Sequence, residues 1–188
     1  MSRVKDNVIT TGLSGKFGKQ VVFRLWGDTT FLAKAPRSNR SLTKSENYEK
    51  SKQRFIDAVS YAKKAMNDPE LKQAYQSKCK DRQNAYARAV QDYFGAPNIG
   101  EIDLSKYTGE TESFIRVYAT DDFRVKQVKI RIENRQNETV EAGVAEREGN
   151  SDWWKFIAAV PNPLPEGGKI TASAYDLPGN EATMEAGI

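Results

Sequence analysis

Apolar and polar residues alternate on both sides of the dipeptide Gly27-Asp28, first in VVFRLW and then in TTFLAKAP. A period of two is typical of a half-buried strand, and a Gly-Asp pair between two such runs is typical of a tight turn. The pattern predicts a β-hairpin over about residues 17–35. The alternation assigns Val21, Phe23 and Leu25 to one face and Val22, Arg24 and Trp26 to the other.

A helical period replaces the alternation in the next segment, where apolar residues recur at Tyr48, Phe55, Val59, Ala62 and Met66. Such steps of three, four and seven residues indicate an amphipathic helix. Three local signals predict where the helices begin and end. Thr43 and Glu46 form a capping box at the start of the first helix, Asp68-Pro69 marks the start of the second, and Gly95 marks its end. These features predict a helical hairpin with helices over about 43–67 and 69–94, and Asn84 marks the alternative of a third, shorter helix.

Short alternating runs return after Ile99, and seven of them fit into about ninety residues. In VKQVKIRI, for example, Val128, Ile130 and Ile132 face one way while Lys129 and Arg131 face the other. One buried and one solvated face is typical of antiparallel sheets, and this density of strands is typical of a sandwich. The sequence therefore predicts an α+β chain in two parts, with the helical and hairpin part over 1–97 and an all-β sandwich over 98–188.

Two stretches of the C-terminal part, YATDDFRVKQVKIRIEN and GGKITASAYDLPGN, resemble bacterial immunoglobulin-like modules. In those modules a DD-x-x-V-x-x-V-x-V strand pair precedes a closing A-x-D-x-x-GN. The resemblance covers roughly residues 99–188 and implies an immunoglobulin-like fold without an activity. This copy has no cysteine pair and no second repeat. The N-terminal half resembles only uncharacterised bacterial proteins with similar Gly-Lys hairpins.

The glycine-rich stretch GLSGKFGKQ, residues 12–20, has the look of a phosphate-binding loop. Such a loop reads G-x-x-x-x-G-K-[ST] and opens a helix whose N–H groups meet the phosphates. Here the glycine spacing is one residue too long, Gln20 replaces the hydroxyl residue, and a strand pattern follows. The stretch is therefore interpreted as the entry to the hairpin, and no cofactor is expected.

The composition excludes several catalytic systems. The 188 residues include no histidine and one cysteine, Cys79, so Ser-His-Asp and Cys-His nucleophiles cannot be built, and zinc loses its commonest nitrogen ligand. We therefore expect a protein that is not an enzyme. The N-terminus has no apolar signal-peptide core, and no apolar run approaches the roughly 20 residues of a membrane span. A reduced, cytoplasmic setting is expected, although export without a signal peptide is compatible with the sequence.

The net charge of +4 is unevenly distributed, because residues 1–97 carry 19 Lys and Arg against 9 Asp and Glu, and residues 98–188 carry 10 against 16. Such a split is typical either of a half that binds a polyanion or of two halves that attract each other. The residues that would contact nucleic acid are Lys16, Lys19, Arg24, Lys34, Arg37 and Arg40.

Two further groups of residues are candidates for binding. Asp121, Asp122 and Asp176 follow predicted strands at one end of the sandwich, where carboxylates can hold calcium, although aspartates also stabilise turns. Trp26, Trp153 and Trp154 are candidates for protein contacts. Trp26 is interpreted as a buried anchor, and the adjacent Trp153 and Trp154 must point to opposite faces, so that one of them fills the core.

These observations predict a non-enzymatic structural or protein-interaction protein, whose partner is another protein or a second copy of itself. The alternative is nucleic-acid binding through the basic N-terminal half. A weaker alternative is calcium or carbohydrate binding at the loops of the sandwich.

Overall fold

The structure, a computed structural model, describes residues 2–3, 8–36, 45–163 and 165–188. The chain forms two compact units, Met1–Lys52 and Gln53–Ile188. The sequence suggests a boundary between residues 97 and 98, whereas the helices beyond Lys52 share a unit with the C-terminal strands. The helices are joined to the loops of the C-terminal sheet by polar and aromatic contacts. Tyr75 stacks on Phe123, Arg88 donates to Asp122, and Asn180 donates to the carbonyl of Tyr93. Within the described residues, no helix is long and apolar enough to cross a membrane.

The predicted hairpin is present in the first unit and belongs to a four-stranded antiparallel sheet with the order β1-β4-β3-β2. The turn at its tip carries Gly27 with φ of 58°, as a type II′ turn requires at its first central position. The glycine-rich stretch contains β2 and a turn over residues 18–20 that leads into β3, so a strand follows it, as predicted. The strands are β1 (Ser2–Arg3), β2 (Gly15–Phe17), β3 (Val21–Trp26) and β4 (Thr29–Lys34).

Three helices follow, α1 (Glu46–Asn67), α2 (Pro69–Ser77) and α3 (Ala85–Phe94). Asp68 accepts hydrogen bonds from the N–H groups of Glu70 and Leu71, which confirms the predicted start of α2. The predicted second helix is broken at residues 78–84, and Asn84 caps α3 by accepting from the N–H of Ala87. The third helix is therefore present, as the alternative predicted. Thr43 of the expected capping box lies outside the described residues.

The buried face of α1 differs from the predicted stripe. Ala58, Ala62 and Ala65 are buried, whereas Tyr48 and Phe55 are more than half exposed. Ala62 and Ala65 belong to one buried cluster with Ala85 and Ala89 of α3, and the fully buried ring of Tyr75 lies in the same cluster. Phe123, from the loop after β6, stacks on that ring at a centroid distance of 4.0 Å and so ties the helices to the sheet.

All seven C-terminal strands are present, in one antiparallel sheet with the order β5-β6-β9-β8-β7-β10-β11. The two edge strands, β5 and β11, approach each other, so the sheet is nearly barrel-like. The strands are β5 (Asn98–Asp103), β6 (Phe114–Thr120), β7 (Val125–Glu133), β8 (Thr139–Arg147), β9 (Trp153–Ile157), β10 (Lys169–Asp176) and β11 (Glu181–Gly187).

The core of this sheet follows the predicted alternation. On β7, Val128, Ile130 and Ile132 are buried between exposed Lys129 and Arg131. The inward residues of β6 and β10 complete the same core, namely Ile115, Val117, Ala119, Ile170, Ala172 and Ala174. Over most of its area the sheet therefore has one face exposed to water and one face packed in the core.

Candidate functional site

The N-terminal sheet has one face that is almost entirely apolar. Residues directly opposite each other in an antiparallel ladder point to the same side, and the register pairs Phe17 with Val21 and Phe23 with Leu32. Leu25 lies two residues beyond Phe23 on the same side. Among the described strand residues, Lys34 at the end of β4 is the only charged residue on this side. We call this surface the apolar face and define it by Phe17, Val21, Phe23, Leu25 and Leu32.

The apolar face has no core beneath it in the described residues. In the described part of Met1–Lys52, no hydrophobic side chain is buried. Phe17 is 72% exposed and Leu25 is 49% exposed, whereas Val21, Phe23 and Leu32 are half-buried. One end of the face is shielded where the N–H of Gly12 donates to the hydroxyl of Thr30 at 3.0 Å. A contiguous apolar surface of this kind usually marks a binding site for another protein.

The opposite side of the sheet is basic and aromatic. The register pairs Lys16 with Val22 and Arg24 with Phe31 on this side, next to Trp26. Trp26 is 60% exposed and lies 6.2 Å from Phe31 between ring centroids. The prediction of a buried anchor at Trp26 is therefore wrong, because the strand places the ring at the open end of a single-layered sheet. We call this surface the basic face.

The predicted nucleic-acid residues are only partly brought together. Lys16 and Arg24 share the basic face, whereas Lys34 lies on the apolar side and Lys19 in the turn between β2 and β3. Arg37 and Arg40 lie outside the described residues.

The two adjacent tryptophans of β9 point to opposite faces, as predicted. Trp154 is buried in the sheet core. Trp153 is half-buried, with the guanidinium of Arg116 4.6 Å from the centroid of its ring and the ring of Tyr118 at 5.3 Å. These neighbours occupy Trp153, so it offers less open surface than Trp26.

A second site lies where α3 meets the loop between β6 and β7. Asp92 in the last turn of α3 and Asp121 and Asp122 in the loop each place a carboxylate oxygen within 4.8 Å of the others. We call this group the acidic junction. Asp92 is 1% exposed, and the hydroxyl of the fully buried Tyr75 donates to its Oδ2 at 2.6 Å.

The hydrogen bonds at the acidic junction leave two oxygens without a partner. Arg88, one turn before Asp92, donates to Asp122 Oδ2 at 2.9 Å and also to the carbonyl oxygen of Asp122. Asp121 Oδ2 accepts from the N–H groups of Phe123 and Arg124. Oδ1 of Asp92 and Oδ1 of Asp121 are both buried and have no hydrogen-bond partner.

The electrostatics of the junction follow from burial and crowding. Burial raises the pKa of Asp92 to about 7, against the opposing effect of the hydrogen bond from Tyr75. The nearby carboxylates of Asp121 and Asp122 raise it further. Burial also raises the pKa of Tyr75, and its hydrogen bond to Asp92 acts in the same direction. The hydroxyl therefore remains a donor at neutral pH.

Asp176, the third predicted calcium ligand, has a different role. Its Oδ1 accepts from the N–H groups of Gly179 and Asn180, and its Oδ2 accepts from the side-chain amide of Asn180. The same amide donates to the carbonyl of Tyr93 at 3.1 Å. Asp176 thus organises the turn between β10 and β11, which is the turn-stabilising alternative of the sequence analysis.

Sequence reasoning missed Asp92 because it searched the loops of the sheet. A detectable pattern was present in α3, where Arg88 and Asp92 are four residues apart and in phase with Ala85 and Ala89 on the buried face. Charged residues are rarely fully buried unless they are paired, so two of them on an apolar face indicate a built polar site.

The sequence matches no family model and no curated protein, and the structure matches no solved structure.

Proposed function

We propose that the chain is a non-enzymatic structural protein that self-associates through the apolar face of its N-terminal sheet, with the C-terminal part as an immunoglobulin-like scaffold. The observation that carries this proposal is the apolar face, with Phe17 and Leu25 exposed, on a sheet that has no buried hydrophobic side chain of its own in the described residues. A partner layer would supply the missing core.

A second copy of the chain is the occupant that the face fits best. Two sheets pack face to face at about 10 Å when both inner faces are apolar. In the described strands the apolar face carries one charge, Lys34 at one end, so its central residues can meet a second copy without burying like charges. A two-fold interface uses the same patch on both subunits, and one self-complementary surface is then sufficient.

The order of the strands supports the immunoglobulin-like part of the proposal. In a constant-type immunoglobulin domain the first, second, fifth and fourth strands form one sheet, and the third, sixth and seventh form the other. The chain pairs β5-β6-β9-β8 and β7-β10-β11 in those positions. The departure is β8, which pairs along most of its length with β7 and only at its end with β9.

The test is the mass of the full chain in solution, measured by sedimentation equilibrium over a range of protein concentrations. We expect a reversible dimer, and we expect the double variant Phe17→Ser, Leu25→Ser to be a monomer. The matched control is Lys16→Ser, Arg24→Ser on the basic face, which should leave the dimer intact. A wild-type chain that remains monomeric up to its solubility limit would exclude self-association.

The basic face favours a second candidate function, which is binding of single-stranded nucleic acid. Lys16 and Arg24 can follow a phosphate backbone, while the exposed ring of Trp26 offers a surface on which a base can stack. Fluorescence anisotropy of a labelled oligonucleotide tests this function, with a variant of the basic face as the test and the apolar-face variant as its control. Loss of binding in Arg24→Glu, Trp26→Ala and retention in Phe17→Ser, Leu25→Ser would support it, and a wild-type chain without salt-dependent binding would exclude it.

A further inference from the structure

We infer that the acidic junction binds a hard divalent cation of the calcium class, with Asp92, Asp121 and Asp122 as its protein ligands. This site lies within the Gln53–Ile188 unit and is independent of the apolar face.

The three carboxylates converge from two elements that are distant along the chain. Asp92 comes from α3, whereas Asp121 and Asp122 come from the loop after β6, and one oxygen of each lies within 4.8 Å of the others. Calcium binds oxygen at about 2.3–2.6 Å, so ligand oxygens on opposite sides of one ion are about 5 Å apart. The observed spacing is therefore compatible with a single shared ion.

The unsatisfied oxygens point to a missing partner. Only 1% of the surface of Asp92 is exposed, yet its Oδ1 accepts no hydrogen bond. Oδ1 of Asp121 is also buried and also accepts no hydrogen bond. A buried charged oxygen without a donor is costly, and a cation between the two carboxylates would satisfy both.

The charge balance of the acidic junction also favours a divalent cation. Three carboxylates face one guanidinium, that of Arg88, which leaves the junction with two uncompensated negative charges when all the carboxylates are ionised. Arg88 contacts the Oδ2 and carbonyl oxygen of Asp122, and so leaves Oδ1 of Asp122 available. Asp176 adds negative potential nearby, since the charge of Asp121 is one of the causes that raise the pKa of Asp176.

The ligand set selects the class of cation. The junction offers only carboxylate oxygens, and the chain has no histidine to favour zinc or copper. The side chain of Asp122 is 42% exposed, which provides a path for the ion and space for water ligands. Calcium accepts six to eight oxygens in flexible geometry, whereas magnesium requires a nearly ideal octahedron. A bound ion would hold α3 against the loop between β6 and β7.

Terbium luminescence tests the site directly, because Tb³⁺ replaces calcium and is excited by a nearby aromatic ring. The hydroxyl of Tyr75 lies 2.6 Å from Asp92 Oδ2, so an ion in the junction should be sensitised by tyrosine. We expect saturable emission from the full chain that calcium displaces. Asp92→Asn and Asp121→Asn should each weaken Tb³⁺ binding at least ten-fold, and the matched control Asp81→Asn, whose carboxylate is 95% exposed, should leave it unchanged.

Thermal unfolding followed by circular dichroism provides a second measurement that also reports whether each variant folds. For a dissociation constant of about 10⁻⁴ M, millimolar calcium should raise the wild-type midpoint by about 5 °C relative to the chelated protein. The two junction variants should fold and lose this shift. The site would be overturned by equal terbium emission from Asp81→Asn, Asp92→Asn and Asp121→Asn, or by a wild-type midpoint that calcium does not change. In either case bound protons, not a cation, would neutralise the excess negative charge of the junction.

Discussion

Tyr75 and Asp92 form a hydrogen bond of 2.6 Å in which both side chains are essentially inaccessible to solvent. The tyrosine comes from α2 and the aspartate from α3, and a second hydroxyl, that of Tyr61 on α1, lies 2.7 Å from the tyrosine oxygen. A polar chain thus connects the three helices through their core. Buried networks of this kind are stable only when each donor and acceptor is satisfied.

We predict that Tyr75→Phe destabilises the Gln53–Ile188 unit by about 1.5–3 kcal/mol, because the buried Asp92 carboxylate loses its donor. Tyr61→Phe should cost less, about 0.5–1.5 kcal/mol, since Tyr75 can still donate to Asp92. Urea unfolding of both variants measures the two free energies. Equal decreases in the free energy of unfolding of the two variants would show that the hydrogen bond to Asp92 contributes no more to stability than the one between Tyr61 and Tyr75.

The stability of the protein should decrease as the pH rises toward neutrality in the absence of divalent cations. Burial raises the pKa of Asp92 to about 7, above its value in the unfolded chain. Between pH 4 and 7 the folded state therefore holds a proton that the unfolded state has lost, so this stabilisation is complete below pH 4 and disappears as the pH passes through 7. The slope from this group is at most about 1.4 kcal/mol per pH unit.

The comparison with Asp92→Asn isolates this effect, because asparagine does not titrate. Asp121, Asp122, Arg88 and Tyr75 also face the group and remain in both proteins. The difference in unfolding free energy between the two proteins, measured with a chelator from pH 4 to 8, should grow in favour of the variant. A difference independent of pH would show that Asp92 is ionised throughout this range.

Asn180 connects the last hairpin of the sheet to the end of α3. Its amide donates to the carbonyls of Tyr93 and Gly95 and to Asp176. Asn180→Ala should therefore cost about 1–3 kcal/mol, because two carbonyls at the end of the helix lose this donor and the buried Asp176 carboxylate keeps only its two backbone donors. Hydrogen exchange should show faster opening at the C-terminal end of α3, and unchanged exchange there would contradict the proposed connection.

Gly168 precedes β10 at a point where the backbone is crowded. A Cβ atom at this position would lie 2.5 Å from the carbonyl oxygen of Glu133 and 2.9 Å from that of Pro165. Gly168→Ala should therefore destabilise the sheet by about 1–3 kcal/mol. Gly187→Ala is the matched control, because a Cβ there meets no atom within 4 Å. Thermal unfolding of the two variants separates steric crowding from a general intolerance of alanine.

The hydrophobic patterns predicted most of the elements of this protein, although not β1 or β2, and they gave the break between α2 and α3 only as an alternative. The tight turn at Gly27, the cap at Asp68 and the seven C-terminal strands all depend on local backbone preferences and on periodicity, which one segment carries by itself. The stripe predicted for α1 is correct in its second half, where Ala62 is buried and Met66 packs against the buried cluster, whereas Tyr48 and Phe55 are large and apolar but remain exposed. Periodicity identifies an apolar stripe, and only the neighbouring helices determine which side of it is covered.

The acidic junction was only partly accessible to sequence reasoning. Asp121 and Asp122 were found because they follow a predicted strand, whereas Asp92 lies thirty residues earlier in a helix. The packing of Tyr75 on Phe123 brings these segments together. That contact depends on the shapes of two side chains in different elements, so the hydrophobic pattern of neither segment contains it.

The sequence by itself determined the elements, the two-part distribution of charge and the absence of histidine chemistry, because each depends on composition or on local periodicity. The tertiary structure decided which helical residues are buried, that α3 meets the loop after β6, and that the described part of the N-terminal sheet has no buried hydrophobic side chain. The physical reason is that burial is a relation between segments: a side chain becomes core, ligand or docking surface according to what packs against it.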